Sequence, residues 1–204
     1  MFNAVPADSL IWFPEKRMGY FPVKAFTYDS AYFDKYMGYA ETEVGRQITK
    51  ARIDLVARHH VGPVVDVGIG CGQFVGLRPD TRGFDVNLEA ERWLKDRGLW
   101  SDIYVGQGLG ALTFWDSLEH IEDIESAVSC AKRFVFVSIP IFSGPDHVLR
   151  SKHFRKDEHY WYFTDSGLIW WFGERGFDLL ESNKMEQEFG REDIGSYAFK
   201  RRNG

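Results

Sequence analysis

Val64-Val65-Asp66-Val67-Gly68-Ile69-Gly70-Cys71-Gly72 decides the fold of this chain. An apolar run that ends in an acid and then turns on glycines reads as a buried strand feeding a tight loop. The acid can accept hydrogen bonds from a cationic or hydroxyl-bearing ligand at the strand's C-terminal end. The glycines let backbone approach a ligand closely and adopt positive φ. Further on, Gly83-Phe84-Asp85-Val86-Asn87 offers a second strand ending in an acid. A carboxylate roughly 20 residues after a glycine-rich first turn is the pattern of a nucleoside cofactor site in an α/β sheet.

Working outward, residues 41–60 read as a helix with Val44, Ile48, Ala51 and Leu55 on one face, stopped by Gly62-Pro63. Strands are expected at 63–67 and 82–86, with a short helical segment at 73–78 between them. Asn87 can cap a helix over 88–97. Asp102 to Val105 is a weak strand and Ala111 to Trp115 a stronger one. A helix over 122–132 precedes the β-branched, aromatic strand of 133–139. Thr164 or Asp165 caps a helix to Arg175, and strands follow at 177–180 and 196–200. Strand–helix alternation of this kind argues a doubly wound α/β sheet, with its ligand crevice beside the first strand.

The composition is that of an ordinary soluble globular protein, with 44% hydrophobic and 27% charged residues among 204. A net charge of −5 argues against a chain whose main affinity for duplex DNA comes from phosphate neutralisation. Cys71 and Cys130 fit neither a metal spacing nor a disulfide framework, so a reducing, cytoplasmic setting is expected. No apolar run reaches the ~18 residues of a membrane helix. Residues 1–38 form an aromatic arm, with Tyr28, Tyr32, Phe33, Tyr36 and Tyr39 crowding its end. It either packs over the core or serves as a lid on a substrate site. Residues 39–204 form one domain, within which 143–163 is a cap on the substrate side.

The glycine spacing selects the cofactor. A dinucleotide fingerprint would need Gly at 73, where the chain has Gln73, so an NAD-dependent oxidoreductase is disfavoured. The acid-led G-x-G-x-G string resembles the first motif of class I S-adenosylmethionine-dependent methyltransferases. Three further stretches resemble the small type 11 and type 23 members in the same order. These are Phe114-Trp115-Asp116-Ser117-Leu118-Glu119-His120-Ile121, Phe136-Val137-Ser138-Ile139-Pro140, and His153-Phe154 followed by Asp157-Glu158-His159-Tyr160-Trp161-Tyr162-Phe163-Thr164.

The resemblance implies a Rossmann-like, mostly parallel, seven-stranded sheet and S-adenosylmethionine as cofactor, with S-adenosylhomocysteine as product. It implies that Asp66, Gly68, Gly70 and Gly72 face the methionine moiety, that Asp85 accepts from the ribose hydroxyls, and that Val86 lines the adenine slot. Asp116 and Ser117 fall near the transferable methyl. One departure is that only five residues separate Val105 from Ala111. A parallel crossover needs about a dozen, so the third-strand region is abbreviated, and Gln107 is left as a candidate adenine contact.

Methyl transfer from a sulfonium is an in-line displacement that depends chiefly on positioning. A hydroxyl or protonated amine acceptor also benefits from a general base. The candidate bases are His120, His153, Glu158 and His159. His153 and His159 with Asp157 match no helix-face pair, so no metal site is assigned. The expected acceptor is a small molecule. Arg150, Lys152, Arg155 and Lys156, with Lys200-Arg201-Arg202, leave a nucleic acid or protein acceptor as the alternative. A non-catalytic binding module on the same fold is the remaining reading, and the intact Asp66, glycine turn and Asp85 weigh against it.

Overall fold

The computed structural model describes residues 9–23, 38, 42–105 and 108–203. Nine strands and six helices appear among them. A six-stranded sheet contains β3 (Val64–Val67), β4 (Thr81–Phe84), β5 (Leu109–Trp115), β6 (Ala131–Pro140), β8 (Phe177–Asn183) and β9 (Ile194–Arg201), in the order β4-β3-β5-β6-β9-β8. The pairings β4-β3, β3-β5 and β5-β6 are parallel, and β9 runs antiparallel to both its neighbours. The chain steps from β3 outward to β4, then returns to the other side of β3 as β5. The gap between the ends of β3 and β5 is therefore the switch point, where α/β sheets bind ligands.

Alternation along the central strands buries both faces, as a sheet covered on both sides requires. On one face Leu112, Phe114, Val135 and Val137 pack with α4 (Ile124–Ser129) and α6 (Asp165–Glu174). Phe172 of α6 stacks on Phe199 of β9 at 4.0 Å between ring centroids. Trp171 is buried and Trp170 is exposed, so the two neighbouring indoles divide between core and surface. On the other face Ala111, Trp115, Phe134 and Phe136 pack with Leu55 and Val56 of α1 (Glu43–His59) and Phe74 of α2 (Gln73–Leu77). The short α2 follows the glycine turn directly. α3 (Leu88–Asp96) is capped by Asn87, whose side chain accepts from the Glu89 N–H at 2.9 Å.

Six strands stand in this sheet among the described residues, where seven were expected. The segment expected as the strand 102–105 is a turn, because the Asp102 carboxylate accepts from the Tyr104 N–H at 2.9 Å and folds the chain back. What remains of that strand is one parallel bridge, Gly83 to Trp100, with Gly83 bonded to Leu99 and Ser101. Gln107 lies outside the described residues.

The second sheet is small and antiparallel: β1 (Ile11–Phe13), β2 (Met18–Tyr20) and β7 (Trp161–Phe163). Part of the aromatic arm is thus a hairpin paired to the segment expected as a cap. Its turn is pinned to α6, for the Arg17 carbonyl accepts from both the Thr164 N–H and hydroxyl. A Cβ on Gly167 would lie 2.1 Å from that carbonyl oxygen, so only glycine permits the contact. Tyr28, Tyr32, Phe33, Tyr36 and Tyr39 lie outside the described residues. The cap segment also holds α5 (Pro145–Arg150).

Candidate functional site at the strand tips

The β3 turn is shaped by its glycines. Gly68, Gly70 and Gly72 all have positive φ, at 77°, 54° and 72°. At Gly68 there is also no room for a side chain, since an added Cβ would sit 2.6 Å from the Ser117 Cβ. The Ser117 hydroxyl donates to the Val67 carbonyl at 2.5 Å and closes the turn against the tip of β5. Asp85 fastens the turn from the other side. Its two carboxylate oxygens accept from the Ile69 and Asn87 N–H groups, each at 2.9 Å. Burial raises the Asp85 carboxyl above its ordinary value, partly offset by these backbone donors.

Asp66 is 1% exposed and lies beside Thr113 in the parallel ladder. The Thr113 hydroxyl donates to it at 2.7 Å. Burial pushes the Asp66 carboxyl up to about 7, against the downward pull of Thr113 and Arg52. A buried acid held near neutrality is poised to respond to a cationic ligand.

At the tip of β5, Asp116 adopts a left-handed backbone with φ 55°. Its carboxylate accepts from Arg52 at 2.7 Å and, through both oxygens, from Arg191 at 2.8 Å. Both arginines also pair with the fully buried Glu186. Arg52 reaches it at 2.7 and 3.0 Å, and Arg191 closes the ring. Two cations and two anions thus balance in a partly dry site, which is the condition for a buried ion network to persist. Burial alone would raise the Asp116 carboxyl, but Arg191 and Arg52 hold it well below the usual carboxylate range. The Arg52 guanidinium also lies over the Trp115 ring, 5.3 Å from its centroid.

Beyond Asp116 the chain makes a short 3-10 turn, Leu118–His120, against β7. Glu119 and His159 are buried, and the His120 and His159 rings meet edge to face at 4.5 Å. Burial, reinforced by the Asp116 charge, pushes Glu119 up to about 8. Burial lowers His120 to about 4 and, with the neighbouring His120, His159 to about 2. His153 stands apart, its Nε2 donating to the Glu192 carbonyl at 2.9 Å. Glu158 pairs with Arg155 at 3.2 Å.

Solved structures share this architecture. The chain is similar to magnesium protoporphyrin IX methyltransferase of Synechocystis PCC 6803, crystallised with S-adenosylhomocysteine. The TM-score is 0.64 at 14% identity, over 84% of this chain and 95% of that one. It is similar to an S-adenosylmethionine-dependent methyltransferase of Clostridium acetobutylicum, with TM-score 0.56 and 14% identity over 84% and 97%. It is also similar to the 1,6-didemethyltoxoflavin N1-methyltransferase of Burkholderia thailandensis, with TM-score 0.54 and 13% identity over 91% and 96%. This is the fold of the class I S-adenosylmethionine-dependent methyltransferases. No protein-family model matches the chain, and no curated protein matches it by sequence.

Within this methyltransferase fold, Asp66, Gly68, Gly70, Gly72, Asp85, Asp116 and Ser117 gather around the tips of β3, β4 and β5. Val86 follows β4 and is 68% exposed. Of the four candidate bases, His120 and His159 come together, while His153 and Glu158 are turned to Glu192 and Arg155. Sequence reading missed Arg52, Glu186, Arg191, Thr113 and Glu119 as site residues. Arg52 carried a signal, since it falls on the buried face of α1 between Ile48 and Leu55. A cation on an apolar face announces an anionic partner. No helix among the described residues is long and apolar enough to cross a membrane.

Proposed function

We propose that the protein transfers a methyl group from S-adenosylmethionine to a small-molecule acceptor. The observation that carries this reading is the latch made by Asp85. Its carboxylate holds the glycine turn open at the switch point of a methyltransferase fold, beside a buried Asp66. Asp66 would receive the methionine ammonium, and Arg52, near enough to lower the Asp66 pKa, offers the opposite charge for the methionine carboxylate. Asp85 would take the ribose hydroxyls, and Val86 would border the adenine. Ser117 and Asp116 would border the methyl. In the reaction the acceptor's nucleophilic atom attacks the methyl carbon and the carbon–sulfur bond breaks. The bonding electrons stay on sulfur, and the acceptor's proton leaves to a base or to water.

Paired basic residues favour a small acceptor over a nucleic acid. Lys152 bonds Glu192 at 3.0 Å, Arg155 bonds Glu158 and Arg202 bonds Asp178, so much of the basic surface is neutralised by neighbouring acids. The segment 143–163 would cap the acceptor side. There Phe154, Arg155, Lys156, Asp157 and Glu158 line a surface hollow of about 490 Å³.

A thermal melt with S-adenosylhomocysteine tests the cofactor, with NAD as control. Ligand at ~100 times its dissociation constant adds about 2.7 kcal/mol, or roughly 5–10 °C for a domain of this size. Asp85→Ala is expected to weaken that binding by about tenfold or more. A shift with NAD alone, or unchanged affinity in the variant, would overturn the assignment.

A further inference from the structure

Glu119, His120 and His159 each present one ligand atom, and these atoms all lie within 4.8 Å of one another. Glu119 is 1% and His159 4% exposed, while His120 is half-buried, so the cluster lies at the edge of the interior. The Glu119 Oε2 is buried without a hydrogen-bond partner among the described residues. A buried carboxyl oxygen left unmatched carries an uncompensated desolvation cost, so this atom points to a partner from outside the chain. Two imidazoles and one carboxylate form the nitrogen-rich donor set that suits zinc, iron(II) or cobalt(II). Magnesium and calcium prefer oxygen ligands throughout.

The frame around the cluster is fixed by bonds to backbone carbonyls, as a metal site requires. The Tyr160 N–H donates to the Glu119 carbonyl at 2.8 Å, and the Trp161 indole donates to the Ile121 carbonyl at 3.0 Å. These bonds clamp the segment carrying His159 onto the turn carrying Glu119 and His120. The neighbouring cation, Arg155, is paired with Glu158.

We propose that Glu119, His120 and His159 bind one divalent transition-metal ion at the tip of β5. Three protein ligands leave open coordination positions, as in metal sites that bind substrate. Those positions would take an oxygen of the acceptor, making the substrate a hydroxyl-bearing molecule. This second step rests on the methyl-transfer reading, whereas the ion site itself does not. A hydroxyl bound to the ion loses its proton to water more readily. The oxygen then takes the methyl, while sulfur keeps the bonding electrons.

The test uses the full chain, free of any affinity tag and stripped of metal by chelation. It is titrated with cobalt(II) alone, with no cofactor present. Visible cobalt absorption and calorimetry should report about one ion per chain, displaced by zinc and untouched by magnesium. Glu119→Gln, which keeps the side chain's volume, and His159→Gln should each weaken binding by at least about tenfold. Far-UV circular dichroism of the metal-free variants confirms that they fold, and Glu119→Gln suffices if His159→Gln does not. Absence of saturable cobalt binding, or equal binding by the folded variants, overturns the site. The S-adenosylhomocysteine melt is run on the same metal-free sample. A shift there without cobalt binding overturns the ion site alone. Cobalt binding without that shift supports the ion site and overturns the methyl-transfer reading.

Discussion

Between residues 64 and 87 the chain assembles Asp66, the glycine turn and Asp85 from two adjacent parallel strands. At the tip of β5, by contrast, Arg52, Asp116 and the pair Glu186 and Arg191 arrive from three separate segments: α1, the end of β5 and the chain between β8 and β9. Glu119 and His120 likewise meet His159 from a different segment of the chain. The first region takes its shape from backbone geometry and the Asp85 bonds, with Thr113 and Ser117 of the β5 strand and its tip closing it from one side. The second exists only when α1, β5, β7 and the chain before β9 are docked together. Perturbing the two regions should therefore give different signatures.

The largest effect is expected at the arginine network. Arg52→Ala leaves Asp116 and the fully buried Glu186 to share Arg191. Breaking a buried pair in this way costs about 3–5 kcal/mol, which a urea melt would read directly. A loss below about 1 kcal/mol would mean that solvent replaces Arg52 and that the two regions do not differ. Gly68→Ala attacks the local region instead. Positive φ and a 2.6 Å approach to the Ser117 Cβ combine to a loss of roughly 2–4 kcal/mol. Adding Ser117→Gly should return the steric share and leave the backbone share. A double variant as unstable as Gly68→Ala alone would show that the clash carries no cost.

The third contrast is with pH. The folded Asp66 carboxyl lies at about 7, above its ordinary value. The folded protein therefore keeps a proton that the unfolded chain releases, and this contribution is complete below about pH 4. It is lost as pH rises through about 7. Between pH 5 and 8 the loss from this group is on the order of 2 kcal/mol. Glu119, up to about 8, acts in the same direction. His120, lowered to about 4, acts oppositely, its contribution complete above about pH 6.5 and lost as pH falls through 4. Comparing wild type with Asp66→Asn isolates the Asp66 contribution, since the other groups remain in both proteins. Parallel stability–pH curves for the two would place Asp66 in contact with water.

Much of the sheet was legible because both faces of its strands are apolar and the runs are short. Arg133 to Ile139 reads as a strand, and the structure extends it to Ala131–Pro140. Misreadings arose where a polar side chain had a distant partner. Val44, Ile48, Ala51 and Leu55 mark the apolar stripe of α1, yet Val44 is 39% exposed. The buried set is instead Gly45, Ile48, Thr49, Leu55 and Val56, with Arg52 on the same side at 13% side-chain exposure. Periodicity counts an arginine as outward because it cannot see Glu186 supplying the charge. The hairpin of β1 and β2 was hidden for a related reason. Three-residue strands have too few alternations to register, and β2 is held by β7 far along the chain.

By itself the sequence determined the strand–turn–strand unit of residues 64–87, because glycine conformation, strand alternation and an acid at each strand end are local properties. It also determined the alternation of strands and helices that makes a doubly wound sheet. Tertiary structure alone decided which charges are neutralised and which donors converge. His120 and His159 are separated by α4, the whole of β6 and most of the 143–163 segment, so no spacing rule connects them. They meet because the Tyr160 backbone N–H and the Trp161 indole bond to carbonyls beside the tip of β5 and close their segment onto it. A local motif states its geometry in its own residues, whereas a buried polar cluster is specified by everything packed around it.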